Sequence, residues 1–185
     1  MTATARLRSV YLLHLSKPAT DRLIYRTIYG ENLRRILEIG IREGQRALRM
    51  IEVGGMCAKT DPMHYTGVDQ FESRRSEAPA GLTLKAAHRA FHATAASVRL
   101  LPGDPLTALS RAANTLGKVD LVVVSAHVEQ EAMARAWLFV SRLLCAESFV
   151  FVEELESPGG RIGLRRLSDD EIARRAETYW NWRAA

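Results

Sequence analysis

The sequence predicts an α/β protein built on a mostly parallel sheet wound with helices on both faces, with an edge hairpin and a helix at its C-terminal end. Short apolar runs recur at intervals long enough to hold a helix, and the segments between them carry helical periodicity rather than alternation. A strong turn signal near the end is flanked by two strand-like runs, which adds an antiparallel edge. The 185 residues, 47% hydrophobic and 25% charged, are enough for a single domain and too few for two full ones.

Ahead of the first strand, Pro18 to Tyr29 reads as a helix, with Leu23, Ile24 and Ile28 apolar, Ser16 or Lys17 near its start and Gly30 placed to end it. Residues 1–30 thus form an N-terminal helical segment ahead of a core at 36–155. The predicted strands are Ile36 to Ile41, His64 to Phe71, Val98 to Leu101, Val119 to Ser125 and Phe149 to Glu153. Apolar residues on consecutive positions suit strands buried on both faces. A helix starts near Gln45. Leu82, Ala86, Ala90 and Phe91 share a face of a helix over about 82–95, and Met133, Ala136, Trp137, Val140 and Leu144 do so over about 129–145. Ser157-Pro158-Gly159-Gly160 joins the last strand to Arg161–Leu167 as a hairpin. Ser168-Asp169-Asp170-Glu171 has capping-box spacing and opens a last helix through Ile172, Ala176, Tyr179 and Trp180, so 156–185 supplies an edge strand and a terminal helix.

Lys plus Arg exceed Asp plus Glu by 26 to 21, and the excess is front-loaded, with seven basic and two acidic residues in 1–35. That charge permits an acidic partner but is sparser than the basic face of most nucleic-acid binders, so an RNA-associated role is kept only as a further alternative. Cys57 and Cys145 are too few and too far apart for a disulfide scaffold or a close-spaced zinc motif, which fits a reducing cytoplasm. Charged residues interrupt every apolar run before it reaches membrane-spanning length. His14 and Lys17 cut the first apolar stretch too short for a secretory signal.

The chemistry concentrates where strands end. Glu38-Ile39-Gly40-Ile41-Arg42-Glu43-Gly44 puts an acidic residue at a strand end and two glycines around a tight turn before a helix. Backbone N–H groups and a carboxylate then meet at the sheet edge, a geometry for a ligand that approaches the backbone closely. The plain alternative is two turn glycines and a surface Glu. Asp69, after Thr66-Gly67-Val68, stands at the tip of the second strand, placed to grip the two hydroxyls of a ribose. Asp104, after Pro102-Gly103, has two readings: acceptor from an adenine amino group, or N-cap of a helix that begins at Pro105.

These ordered motifs resemble the class I S-adenosylmethionine-dependent methyltransferases, over roughly residues 20 to 155. Glu38 to Gly44 looks like the family's first motif, which in fuller form has another glycine between the two kept here. Asp69 matches the acidic ribose ligand, Gly103-Asp104 the adenine-contacting turn and Asp120-Leu121-Val122-Val123-Val124 the fourth strand. The Gly-x-Gly-x-x-Gly fingerprint of nicotinamide enzymes is not met. Leu37-Glu38-Ile39-Gly40 followed by Tyr65-Thr66-Gly67-Val68-Asp69 is similar to the small-molecule O-methyltransferase and cephalosporin-hydroxylase-like branch. The resemblance implies a Rossmann-like strand order 3-2-1-4-5 and S-adenosylmethionine as cofactor. It implies cofactor contacts from Glu38, Gly40, Ile41, Arg42 and Gly44 in the first turn. From the later strand ends it adds Asp69, Gln70, Gly103, Asp104 and Ser125.

Relatives in that branch place an aspartate after strand four to bind a divalent metal that acidifies a substrate hydroxyl. Ser125-Ala126-His127 stands there instead, and no metal is expected. His127 is a candidate general base, against the plainer reading of a loop histidine. His88 and His92 share a helix face without a third ligand. The polar loop Glu72 to Gly81 reads as a lid or substrate loop. Its Arg74 and Arg75 either hold an anionic substrate or are merely solvated. The tail aromatics Tyr179, Trp180 and Trp182 suit a homodimer or partner surface, or packing of the last helix. The expected function is methyl transfer to a small-molecule acceptor, the alternative a catalytically inactive binding or interaction protein of the same fold.

Overall fold

The computed structural model describes residues 3–57, 61–74, 81–155 and 161–183, the side chains of 3 and 178–183 excepted. A short helix α1 (Ala3–Val10) runs into a π-helical turn at Tyr11–Leu15, followed by α2 (Asp21–Glu31). Then come β1 (Arg35–Ile39), α3 (Gln45–Met56), β2 (His64–Asp69), α4 (Leu84–His92), β3 (Ser97–Pro102) and α5 (Pro105–Leu116). The chain continues through β4 (Val119–Val124), α6 (Gln130–Leu143), β5 (Leu144–Leu155), β6 (Ile162–Arg166) and α7 (Asp169–Arg183). The strands form one sheet in the order β3-β2-β1-β4-β5-β6, parallel except for β6, which runs antiparallel to β5.

The two-residue period of a strand explains the layers. Ile36 of β1 faces one way with Tyr65, Leu121, Val123 and Phe151, against Ile24 and Ile28 of α2, Met50 of α3 and Phe91 of α4. Leu37 and Ile39 face the other way with Val68, Val122, Val124, Val150 and Val152, against Leu109 of α5 and Met133, Trp137 and Val140 of α6. Burying each large apolar side chain contributes about 1.5–3 kcal/mol relative to exposure. The two packed faces, more than helix propensity, therefore hold the layers. At the base of the sheet, the Asp120 carboxylate accepts from the backbone N–H groups of Arg34 (2.7 Å) and Arg35 (2.9 Å), pinning the start of β1 to β4.

Several boundaries differ from the sequence reading. Gly30 lies inside α2, and the helix ends at Asn32, which takes the left-handed conformation (φ 56°) and donates its N–H to the Ile28 carbonyl. Asparagine tolerates that conformation better than most residues, so it serves as the cap in place of glycine. The helix predicted over 129–145 stops at Leu143, and β5 starts at Leu144 rather than Phe149. The added strand pairs Leu144 with Val119 across an irregular register, held where Ser148 Oγ donates to the Val119 carbonyl (2.7 Å). The hairpin pairing of β5 with β6 and the capping box of α7 are as predicted: the Ser168 N–H donates to Glu171 (3.0 Å) and the Glu171 N–H to Ser168 Oγ (3.3 Å). The predicted turn at 157–160 lies outside the described residues. Among the described residues, no helix is long and apolar enough to cross a membrane.

Candidate functional site

β1 and β4 are neighbours, yet the chain leaves them in opposite directions across the sheet, so the loops at their C-terminal ends diverge and leave a crevice. A cavity of about 230 Å³ occupies it. Ile39, Gly40 and Arg42 line it from β1 and its turn, Val68, Asp69 and Gln70 from β2, Gly103 and Pro105 from the β3–α5 junction, and His127, Val128 and Glu129 from the loop after β4. Arg74 closes one side. Sequence reasoning brought Gly40, Arg42, Asp69, Gln70 and Gly103 forward from separate strand ends, and the fold gathers them around one space.

The glycine turn is tight for a reason that differs from the expected one. Gly40 has φ 90°, and a Cβ there would stand 2.7 Å from Ser125 Cβ and 2.8 Å from Val128 Cγ2. Gly44 has φ 75°, and its Cβ would stand 2.6 Å from Leu82 Cδ1 and 3.1 Å from Phe91 Cζ. Both glycines thus make room for the protein's own side chains. Arg42, between the two glycines, also takes a left-handed φ of 57°. Gly103 is different: φ is 127° and nothing lies within 4 Å of its absent Cβ, so open space stands over it.

Asp69 is buried, and every donor around it is the protein's own. Its Oδ2 accepts from the Arg42 N–H (2.9 Å), and its Oδ1 from the Phe71 N–H (3.0 Å) and the Arg74 guanidinium (2.7 Å). Arg74 also donates to the Leu82 carbonyl (3.2 Å). Arg74 is therefore neither solvated nor waiting for a substrate. It covers the carboxylate that the ribose reading assigns to a ligand. Arg75 and the rest of the predicted lid at 75–80 lie outside the described residues.

Glu38 shares the sheet face of Ile36 and points away from the cavity, into the layer beneath α2 and α3. It is fully buried, accepting from Arg46 Nε (2.7 Å) and from the Tyr65 hydroxyl (2.5 Å). The same guanidinium binds Glu153 at the end of β5 and lies 3.8 Å from Asp21 of α2. Three carboxylates thus face one arginine. Burial pushes the Glu38 and Asp21 carboxyls up, against the pull of Arg46. Burial alone would lower Arg46, but Glu38, Glu153 and Asp21 together hold it above the usual arginine range. Burial and then Glu38 raise Tyr65, which stays a neutral donor. Arg46 and Tyr65 escaped the sequence reading. The available signal was an arginine at the second position of the helix that follows an acidic strand end.

The remaining predicted residues divide. Asp104 caps α5, accepting from the Thr107 N–H (3.0 Å), which favours its helix-cap reading, while its neighbour Pro105 lines the cavity. Ile41 is buried in the α3 layer, its Cδ1 2.5 Å from where a Cβ on Gly67 would stand. Ser125 is buried beside Gly40 and lines a second cavity of about 470 Å³ with Met133, Trp137, Glu153 and Arg175. His127 lines the first cavity, and burial and then Arg42 push its pKa below the ordinary histidine value, leaving a neutral imidazole at pH 7. His88 and His92 stack with ring centroids 4.0 Å apart. Among the described residues, no three His, Cys, Asp or Glu side chains are arranged to hold a metal. The donors after β4 and near the end of β5 do not fit a divalent ion either: Ser125 is packed on the glycine turn and Glu153 is ion-paired to Arg46. The side chains of Tyr179, Trp180 and Trp182 lie outside the described residues.

No protein-family model and no curated protein matches the chain. Solved structures do. An O-methyltransferase from Bacillus cereus, in complex with S-adenosylhomocysteine, aligns over 98% of this chain and 79% of its own at TM-score 0.59 and 10% identity. The O-methyltransferase TomG from Streptomyces achromogenes, involved in tomaymycin synthesis and in complex with S-adenosylmethionine, aligns over 98% and 78% at TM-score 0.56 and 14% identity. A TehB-like S-adenosylmethionine-dependent methyltransferase from Corynebacterium glutamicum aligns over 95% and 79% at TM-score 0.53 and 16% identity. The fold of this chain is that of the class I methyltransferases.

Proposed function

We propose that the protein binds S-adenosylmethionine in the crevice above β1, β2 and β3 and transfers its methyl group to a small-molecule acceptor. One observation carries the reading: the Gly40 turn, the Asp69 carboxylate, Gln70 and the open face of Gly103 converge on one cavity at the place where the strand order reverses. The neighbours in complex with S-adenosylmethionine or S-adenosylhomocysteine support it through the shared fold. The space over Gly103 and Pro105 suits a planar base, and Asp69 suits the ribose hydroxyls.

The bound cofactor would supply an electrophilic methyl group on a sulfonium, whose sulfur keeps the bonding pair as the acceptor attacks in line. The chain's own task is alignment, which accounts for much of the acceleration in such transfers. His127, neutral at pH 7, would take the proton of an acceptor hydroxyl. Asp69 would exchange the Arg74 guanidinium for ribose hydroxyls while keeping the Arg42 and Phe71 N–H groups. The cavity of about 230 Å³ lies under the roughly 300–1,000 Å³ of typical ligand sites, so cofactor entry requires side chains to move. Arg74 is the side chain to displace.

A second reading, a methyltransferase-fold binder without turnover, is favoured by the same satisfied carboxylates: Glu38 and Glu153 held by Arg46, and Asp69 held by Arg74. Thermal denaturation with S-adenosylmethionine and S-adenosylhomocysteine tests ligand binding. At a hundredfold excess over Kd, binding adds about 2.7 kcal/mol, a rise of roughly 5–11 °C for a chain of this size. Asp69→Ala should abolish that rise. No rise for either ligand at millimolar concentration refutes the donor assignment, and a rise without methyl transfer to any of a broad acceptor panel supports the second reading.

A further inference from the structure

The loop that joins β4 to α6, residues 125–129, is common to both cavities. His127, Val128 and Glu129 line the first, and Ser125, Ala126 and Val128 line the second. Two neighbouring strands tie down its main chain. The Ile39 carbonyl of β1 takes the Ser125 N–H (2.9 Å), and Glu153 Oε2 of β5 takes the Ala126 N–H (3.2 Å). Sheet register supplies the second tie. Val124 pairs with Val152, so Glu153 comes one residue beyond that pair, level with the start of the loop and on the face of Phe151. Its side chain is only 9% exposed, and its Oε1 is bound by Arg46, whose Nε holds Glu38 of β1. One carboxylate thus has its two oxygens committed to different elements, α3 and the loop. Charge balance does not call for it, because Arg46 already faces Glu38 and Asp21, and a third buried carboxylate adds desolvation cost and repulsion. A charged acceptor gripped from behind instead makes a stiff anchor, since charge-assisted bonds are roughly twice as strong as neutral ones.

We infer that Glu153 is a positioning residue: with Arg46 behind it, its carboxylate fixes the loop after β4 at Ala126 and thereby sets where His127 stands in the cavity wall. What this placement does for proton transfer rests on the His127 reading above; the placement itself does not. The same carboxylate acts on the imidazole through its charge. Burial and then Arg42 push the His127 pKa down, Arg46 adds to that, and Glu153 opposes them. The charged residues that line the cavity beside His127 are Arg42, Asp69, Arg74 and Glu129.

The test is NMR of the full chain without ligand, comparing the parent with Glu153→Gln and Glu153→Ala. His127 is assigned among the five histidines by the imidazole signal lost in His127→Gln. Glu153→Gln drops the charge, so the His127 pKa should fall further below that of the parent. Glu153→Ala removes the acceptor, so the Ala126 amide should exchange with deuterium about tenfold or more faster. His14, His64, His88 and His92 should titrate as in the parent, which a general loosening of the fold would not allow. The melting temperature of each variant shows that it is folded, and if Glu153→Ala does not fold, the Glu153→Gln titration decides alone. A His127 titration in Glu153→Gln that overlays the parent, or an Ala126 amide in folded Glu153→Ala that exchanges as slowly as before, overturns the positioning role. Equal shifts at the other histidines overturn it too. Neither ligand nor methyl transfer enters the readout, so failure of the cofactor reading in the thermal screen and failure of the Glu153 anchor are told apart.

Discussion

Replacing Arg46 with methionine tests the account of the buried charges most directly. Methionine keeps most of the side-chain length and removes the Arg46 guanidinium that faces Glu38, Glu153 and Asp21. Breaking a buried ion pair by removing one partner costs about 3–5 kcal/mol, because the other charge is left unpaired. For a chain of this size that is a fall in Tm of roughly 6–20 °C. The effect should depend on pH with a definite sign. Burial holds the Glu38 and Asp21 carboxyls above their ordinary values, so the folded state binds protons that the unfolded state releases. Their contribution to stability is complete below the ordinary carboxylate pKa of about 4 and is lost as pH rises through the raised folded values. Removing Arg46, which pulls both down, lengthens that loss toward higher pH. The deficit of Arg46→Met against the parent should therefore be largest near pH 8 and shrink toward pH 5, with urea denaturation at each pH as the assay. Adding Glu38→Gln to Arg46→Met should restore part of the stability at pH 8. A variant as stable as the parent at pH 8, or a deficit that does not change with pH, refutes the picture of one cation neutralising a buried acidic cluster.

Gly40→Ala should destabilise by about 1–3 kcal/mol in urea denaturation, since its methyl group meets Ser125 and Val128 at 2.7 and 2.8 Å and the residue needs φ 90°. Asp104→Ala should cost about 1 kcal/mol through the lost cap of α5. It should leave nucleoside affinity unchanged in calorimetry, whereas an adenine-contact role would weaken it. If methyl transfer is found, its acid limb should lie below pH 6.5, because the His127 pKa is depressed from that value. Activity that keeps rising between pH 7 and 8 would point to a different proton acceptor.

The strand order and the two helical layers were legible because consecutive apolar residues leave a strand no exposed face, so Ile36–Ile39 and Leu121–Val124 had to lie between layers. The cavity was legible at Gly40, Asp69 and Gly103, because a parallel sheet brings every β–α turn to one edge. What pattern could not reveal was side-chain direction. Glu38 reads as a ligand contact from its place in the motif. Strand alternation instead turns it to the face of Ile36, where Arg46 and Tyr65 wait in other elements. Arg74 reads as a loop cation, and its return to Asp69 depends on a bend, with Phe71 at φ 50°, that carries no strong sequence signal. The α2 terminus was misplaced because glycine and asparagine compete for the same left-handed cap, and two residues of extra helix decided it.

Gly81 sits directly under the Arg74 guanidinium: a methyl group there would meet its Cζ at 2.5 Å. The obstacle would be the loose end of a long side chain rather than backbone, so the arginine is what would yield. A one-carbon change in a residue that does not line the cavity could in this way unmask Asp69, leaving its two main-chain donors in place. On the proposed nucleoside reading, position 81 is thus a dial on how readily the crevice would admit a sugar, adjustable without altering any group that would touch one.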